Sequence, residues 1–171
     1  QLLSDLIEAY SADSKKAYFL GTIVTFDEGT KFELIDGQQR LTTFFILLCA
    51  IKQIYAQNNE KTGAIEKLIY SEVMNDSGDT VSQYHLQLQY EDAGNCLELI
   101  EKGETKPSSI TQSGERLFNA FSIIKNTFAE KFSNFAEFKK FVVFLLNKTS
   151  FIRIETHDIT DALKIFETIN Q

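Results

Sequence analysis

The sequence predicts an α+β fold in which a small sheet is set into a predominantly helical remainder. Three observations carry that prediction. Residues 18–26 and 31–35 are rich in aromatic and β-branched side chains and are separated by Asp27-Glu28-Gly29-Thr30, the turn chemistry of a hairpin. Apolar residues recur at helical spacing through long runs, as in Leu41, Phe44, Phe45, Leu48 and Ile51 or Leu117, Phe118, Phe121, Ile124 and Phe128. Residues 151–155 alternate Phe, Ile and Arg as a further strand. The 171 residues suit a single domain with enough chain to bury a substantial core.

Taken in order, residues 1–10 read as an amphipathic helix, with Leu2, Leu3, Leu6, Ile7 and Tyr10 on one side and Asp5 and Glu8 on the other. It begins without a cap. A polar loop leads to the hairpin of strands 18–26 and 31–35, and the second strand delivers a polar turn that opens the helix of residues 41–55. Residues 64–74 keep a helical pattern, and Asn75-Asp76-Ser77-Gly78-Asp79 marks an exposed loop. Tyr84, Leu86, Leu88 and Tyr90 alternate with polar residues, which predicts a short strand. Helices follow over residues 92–102, 113–132 and about 134–146, the last with Phe135, Phe138, Phe141, Val142 and Leu145 on its apolar side. After strand 151–155, in which Arg153 is expected on the polar face, residues 158–170 form a final helix with Ile159, Leu163, Phe166 and Ile169 expected to pack inward.

Composition narrows the functional classes. Hydrophobic residues make up 43% and charged residues 24%, which is ordinary for a globular chain, and fifteen Phe without a Trp point to a Phe-rich helical core rather than a surface for base stacking. A formal net charge of −7 argues against the chain gripping nucleic acid by itself, since such binding begins with a basic face. Cys49 and Cys96 have neither metal-ligand spacing nor company for a disulfide framework, and Cys49 lies in an apolar helix as a buried thiol. No secretory signal is present, and the apolar run 41–51 is too short to span a bilayer, so no membrane partner and a cytoplasmic location are expected. His85 has no second His, Cys or acid at ligand spacing, which favours a surface or packing role, and no metal-ligand set is read from the sequence. Phosphate loops of the G-x-x-x-x-G-K-[ST] type, G-x-G-x-x-G and H-E-x-x-H are missing.

The turn Asp36-Gly37-Gln38-Gln39-Arg40 carries more polar chemistry than a turn needs. Asp36 can cap the helix while Gln39 reaches back to the cap's backbone N–H. Gly37 permits a sharp turn and close approach of a ligand, and first-turn amides suit a phosphate. Arg40 is the decisive residue, because a cation in the first helical turn opposes the macrodipole by about 0.3–1 kcal/mol. Something anionic should offset that cost. A carboxylate such as Asp36 is the structural answer and a nucleotide phosphate held by the guanidinium the functional one, and the residues alone leave both open.

The run Ile35-Asp36-Gly37-Gln38-Gln39-Arg40-Leu41-Thr42-Thr43 resembles the DGQQR motif of the GmrSD restriction-endonuclease N-terminal domain family. Tyr18-Phe19-Leu20-Gly21-Thr22-Ile23-Val24 looks like the strand before that motif, and Ile165-Phe166-Glu167-Thr168-Ile169-Asn170 like the family's closing helix. The resemblance implies a ParB/sulfiredoxin-like fold and a chain that is a fragment of a longer protein, cut at both ends. It further implies nucleoside triphosphate binding and hydrolysis in a modification-dependent restriction or anti-phage defence protein, with GTP or ATP as substrate and Mg²⁺ as an allowed companion. Gln38, Gln39 and Arg40 would hold phosphates, Asp36 would orient the attacking water or the Mg²⁺, and Gly37, Thr42, Thr43 and Asn170 would complete the nucleotide site, Glu167 staying unassigned. DNA would be contacted through the intact protein and cut by an HNH-type nuclease domain, C-terminal or separate. Self-association into a homo-oligomer stays open. With His85 and His157 isolated, this chain holds no HNH centre. Two other readings stand beside this one: a non-enzymatic regulatory domain of a nuclease, and a ParB-like nicking centre at the turn itself.

Overall fold

The computed structural model describes residues 1–88 and 95–170, and among these it contains seven helices and five strands. They are α1 (Leu2–Ala12), β1 (Tyr18–Asp27), β2 (Phe32–Asp36), α2 (Gln38–Gln57), α3 (Gly63–Ile69), β3 (Tyr70–Met74), β4 (Thr80–Tyr84), α4 (Cys96–Lys102), α5 (Gln112–Lys131), α6 (Phe135–Lys148), β5 (Thr149–Thr156) and α7 (Ile159–Ile169). This is the predicted α+β class. No helix among the described residues is long and apolar enough to cross a membrane. The chain divides into two compact units, one of residues 1–41 and 139–171 and the other of residues 42–138.

The first unit is built on a three-stranded sheet in the order β2-β1-β5. Strand β1 is central because its aromatic and β-branched residues can be covered on both faces: Leu20, Ile23, Val24 and Thr25 are buried. It runs antiparallel to β2 through the hairpin and parallel to β5, with Thr22 opposite Ile152 and Thr25 opposite Glu155. Helix α7 lies against all three strands. Leu3 and Leu6 of α1 and Phe141, Val142, Phe144 and Leu145 of α6 are buried, and Tyr10 of α1 meets the rings of Phe141 and Phe144 at 5.5 and 5.6 Å. A fully buried side chain such as Phe141 contributes about 1.5–3 kcal/mol by leaving water.

In the second unit, residues 45–51 of α2 are buried without interruption, the mark of a helix apolar all round. The rings of Phe128 and Phe138 meet at 5.0 Å and those of Tyr55 and Phe135 at 5.2 Å, so the predicted Phe stripes do form a core. Thr111 caps α5, its hydroxyl accepting from the Gly114 amide at 3.2 Å. Glu101 is buried and would be costly alone, but its carboxylate pairs with Lys52 and accepts from the Tyr84 hydroxyl at 2.8 Å. Burial, with Glu101 nearby, pushes the Cys49 thiol up to about 12, so that cysteine is the inert buried thiol expected.

Four expectations need correction. The helical pattern of residues 64–74 ends at Ile69, and Tyr70–Met74 becomes β3, because each of its residues has a partner on β4, from Tyr70 with Tyr84 to Met74 with Thr80. Strand pairing across the Asn75–Asp79 turn overrides local periodicity. The strand expected over residues 84–90 is accordingly replaced by Thr80–Tyr84, with Leu86 and Leu88 outside any strand and residues 89–90 outside those described. Of the helix expected over residues 92–102, Asn95 is instead the cap before α4 at Cys96, and residues 92–94 lie outside those described. In α7 the four residues expected inward are exposed: Ile159 at 42%, Leu163 at 49%, Phe166 at 37% and Ile169 at 44%, while Ala162 is buried in their place. The small residue lets the helix lie close to the sheet and turns the apolar stripe outward.

Candidate functional site

Strand β2 ends at Asp36, opposite Val24 of β1, and the chain must then reverse into α2. Gly37 makes that reversal with φ +92°, a region that favours glycine. It also has no room for a side chain, since a Cβ there would stand 2.6 Å from the Ile23 methyl. The Gly37 carbonyl accepts the first helical bond, from the Leu41 amide at 3.0 Å, so Gly37 rather than Asp36 occupies the cap position. Asp36 stands one residue too early to cap, and its carboxylate turns to another use. Gln38 Nε2 donates to the Leu34 carbonyl at 2.8 Å, four residues back on β2.

Arg40 closes the first helical turn. Its Nη1 donates to the Leu20 carbonyl at 3.2 Å, and its Nη2 lies 3.6 Å from Asp36 Oδ2. The guanidinium rests where a side chain of residue 21 would be: a Cβ on Gly21 would fall 1.9 Å from Nη1. Gly21 has φ +110° and sits where the register of β1 on β5 shifts between Phe19 and Thr22. That bulge carries the Leu20 carbonyl to the guanidinium. A lone glycine inside Tyr18-Phe19-Leu20-Gly21-Thr22-Ile23-Val24 was the available signal for it, and neither Leu20 nor Gly21 was read from the sequence as part of the site.

Magnitudes show what the ion pair does. A pair whose side chains are 34% and 18% exposed is worth about 0–1 kcal/mol, close to the macrodipole cost of a cation at that position. Asp36 therefore offsets Arg40 without surplus. The Arg40 side chain remains 34% exposed at the positive end of a twenty-residue helix.

The structure thus brings Asp36, Gly37, Gln38 and Arg40 together with Leu20 and Gly21, and Gln39 lies exposed in the same turn. Thr42 and Thr43 follow along α2 as half-buried residues of the second unit. Asn170 is the C-cap of α7, where its Nδ2 donates to the Phe166 carbonyl at 2.8 Å, and Glu167 is exposed on the same helix. His85 is an exposed residue bonded locally, to Ser71 Oγ at 2.8 Å and the Leu68 carbonyl at 3.1 Å, as a packing role requires.

Fold and site together define an α+β module whose sheet hands a glycine turn and an anchored arginine to the start of its longest apolar helix. The family described as GmrSD restriction endonuclease, N-terminal domain, matches residues 1–171, the whole chain, and the chain belongs to it. It is therefore a restriction-protein module. No curated protein matches the chain.

Proposed function

We propose that this domain binds and hydrolyses a nucleoside triphosphate and thereby regulates an HNH-type nuclease domain elsewhere in a modification-dependent restriction or anti-phage defence protein. The observation that carries the reading is the seat of Arg40: its guanidinium is fixed by Leu20 and Asp36 at a helix start while the side chain stays partly exposed. A guanidinium oriented in advance loses little freedom when it meets a phosphate, and it stabilises charge that develops during phosphoryl transfer without having to reorganise. In this reading Arg40, Gln38 and Gln39 hold the phosphates, Gly37 allows their close approach, Asp36 orients water or Mg²⁺, and Asn170 adds a contact. GTP and ATP both fit this chemistry. DNA is met by the intact protein, since a net charge of −7 gives this chain no electrostatic grip of its own.

A second reading has a specific observation behind it. Arg40 already holds a carbonyl and a carboxylate of its own chain, which is all that a purely structural turn needs. In that case the domain regulates its nuclease by contact alone. Titration of labelled GTP and ATP against the full-length protein separates the two. Binding that weakens at least about tenfold in Arg40→Ala, with unchanged thermal stability, supports the triphosphate reading. Loss of stability with no nucleotide affinity in either protein overturns it in favour of the structural turn.

A further inference from the structure

A second constellation lies at the far end of the same sheet. The parallel register sets Thr25 opposite Glu155 and Phe26 opposite Thr156, so the next residues along, Asp27 and His157, are neighbours at the strand ends. Because side chains alternate along a strand, Glu155 and His157 emerge on one face, and Asp27 joins them. One ligand atom from each of the three lies within 4.8 Å of the other two. We infer that Asp27, Glu155 and His157 form a binding site for a divalent transition-metal ion such as Zn²⁺, Co²⁺ or Mn²⁺.

The donor set selects the ion class. One imidazole with two carboxylates suits Zn²⁺, Co²⁺ or Mn²⁺, whereas Mg²⁺ and Ca²⁺ prefer oxygen alone. Geometry comes next. With bonds of about 2.1 Å, tetrahedral ligand atoms stand about 3.4 Å apart, and His157 Nδ1 already lies 3.3 Å from Asp27 Oδ2. Glu155 has to close by at most about 1.4 Å from the 4.8 Å limit of the cluster, which a rotation of its side chain supplies.

Outer contacts hold the carboxylates. Asp27 Oδ1 accepts from the Gly29 amide at 2.7 Å, which points Oδ2 at His157. Glu155 Oε2 is held by Arg153, whose Nε donates to Thr25 Oγ1 at 3.3 Å and whose guanidinium lies 4.0 Å over the Phe32 ring. Supports of this kind fix ligand orientation in metal sites. His157 is 78% exposed on its side chain, so coordination positions beyond the three protein donors face water. The site lies about 10 Å along β1 from Val24, the partner of Asp36, at about 3.3 Å per residue, and owes nothing to the reading of the turn.

The test is a titration of the chelator-stripped chain with Co²⁺, read by visible absorption, and with Zn²⁺, read by calorimetry. One saturating equivalent is expected, weakened at least about tenfold in His157→Ala and in Glu155→Gln and unchanged in His85→Ala, with circular dichroism confirming that each variant folds. Absence of saturable binding, or binding that survives His157→Ala, overturns the inference. So does a loss in His85→Ala equal to that in His157→Ala, which would mark nonspecific histidine binding.

Discussion

Gly21 and Gly29 both lie in β-hairpin territory at positive φ, +110° and +88°, yet they answer to different constraints. A Cβ on Gly29 would meet nothing within 4 Å, so Gly29→Ala costs only the left-handed backbone, about 1–2 kcal/mol. A Cβ on Gly21 would strike Arg40 Nη1 at 1.9 Å and must expel the guanidinium as well. Gly21→Ala is therefore expected to lose more stability than Gly29→Ala, by about 1 kcal/mol or more, in urea unfolding of the two variants side by side. Equal losses would mean that the arginine is not seated against this strand. Arginine's need for an anion was legible in the sequence, as was Asp36 as one candidate for it. Invisible there was the third party, the Leu20 carbonyl, because a bulge twenty residues upstream has to present it.

At the scale of elements, α7 shows how a correct helix can be given the wrong face. Its apolar residues keep helical spacing and were read as inward, but the sheet takes Ala162 and leaves Leu163 half in water. Periodicity locates a stripe and says nothing of what covers it. Leu163→Ser is accordingly expected to change stability by no more than about 0.5 kcal/mol, whereas Leu6→Ala, at a fully buried position of α1, costs about 2–5 kcal/mol. Chemical denaturation of both variants checks the contrast, and a large loss at Leu163 would show that the stripe is covered. The same helix starts at Ile159, where Asp158 is the cap and accepts from the Thr160 and Asp161 amides at 2.7 and 3.1 Å. Those backbone bonds, Asp161 first, hold its carboxyl below the ordinary 3.8. A lowered folded value means that the ionised cap stabilises above the unfolded value, and that the benefit is lost as the pH falls through the depressed one. Asp158→Ala should thus melt earlier than the parent at neutral pH, and the two melting curves should converge in strong acid. A difference that persists there would point to something other than the ionised cap.

For the molecule as a whole, legibility follows separation along the chain. Hairpin, helices and turn were readable because their determinants lie within a few residues of one another. Strand β3 was not, since residues 64–74 keep a helical pattern and only pairing with β4 decides otherwise. The Asp27, Glu155 and His157 constellation was not either, because no local spacing connects residues that meet only when β1 and β5 pair. That pairing has one more consequence. Thr25 and Ile154, joined across β1 and β5, are 129 positions apart, so closing this contact comes at the entropic cost of a very long loop and belongs late in folding. On the ribosome β1 and β2 can zip together early, and the remaining edge of β1 then waits, unpaired and able to recruit a stray strand, until Thr149–Thr156 has been made.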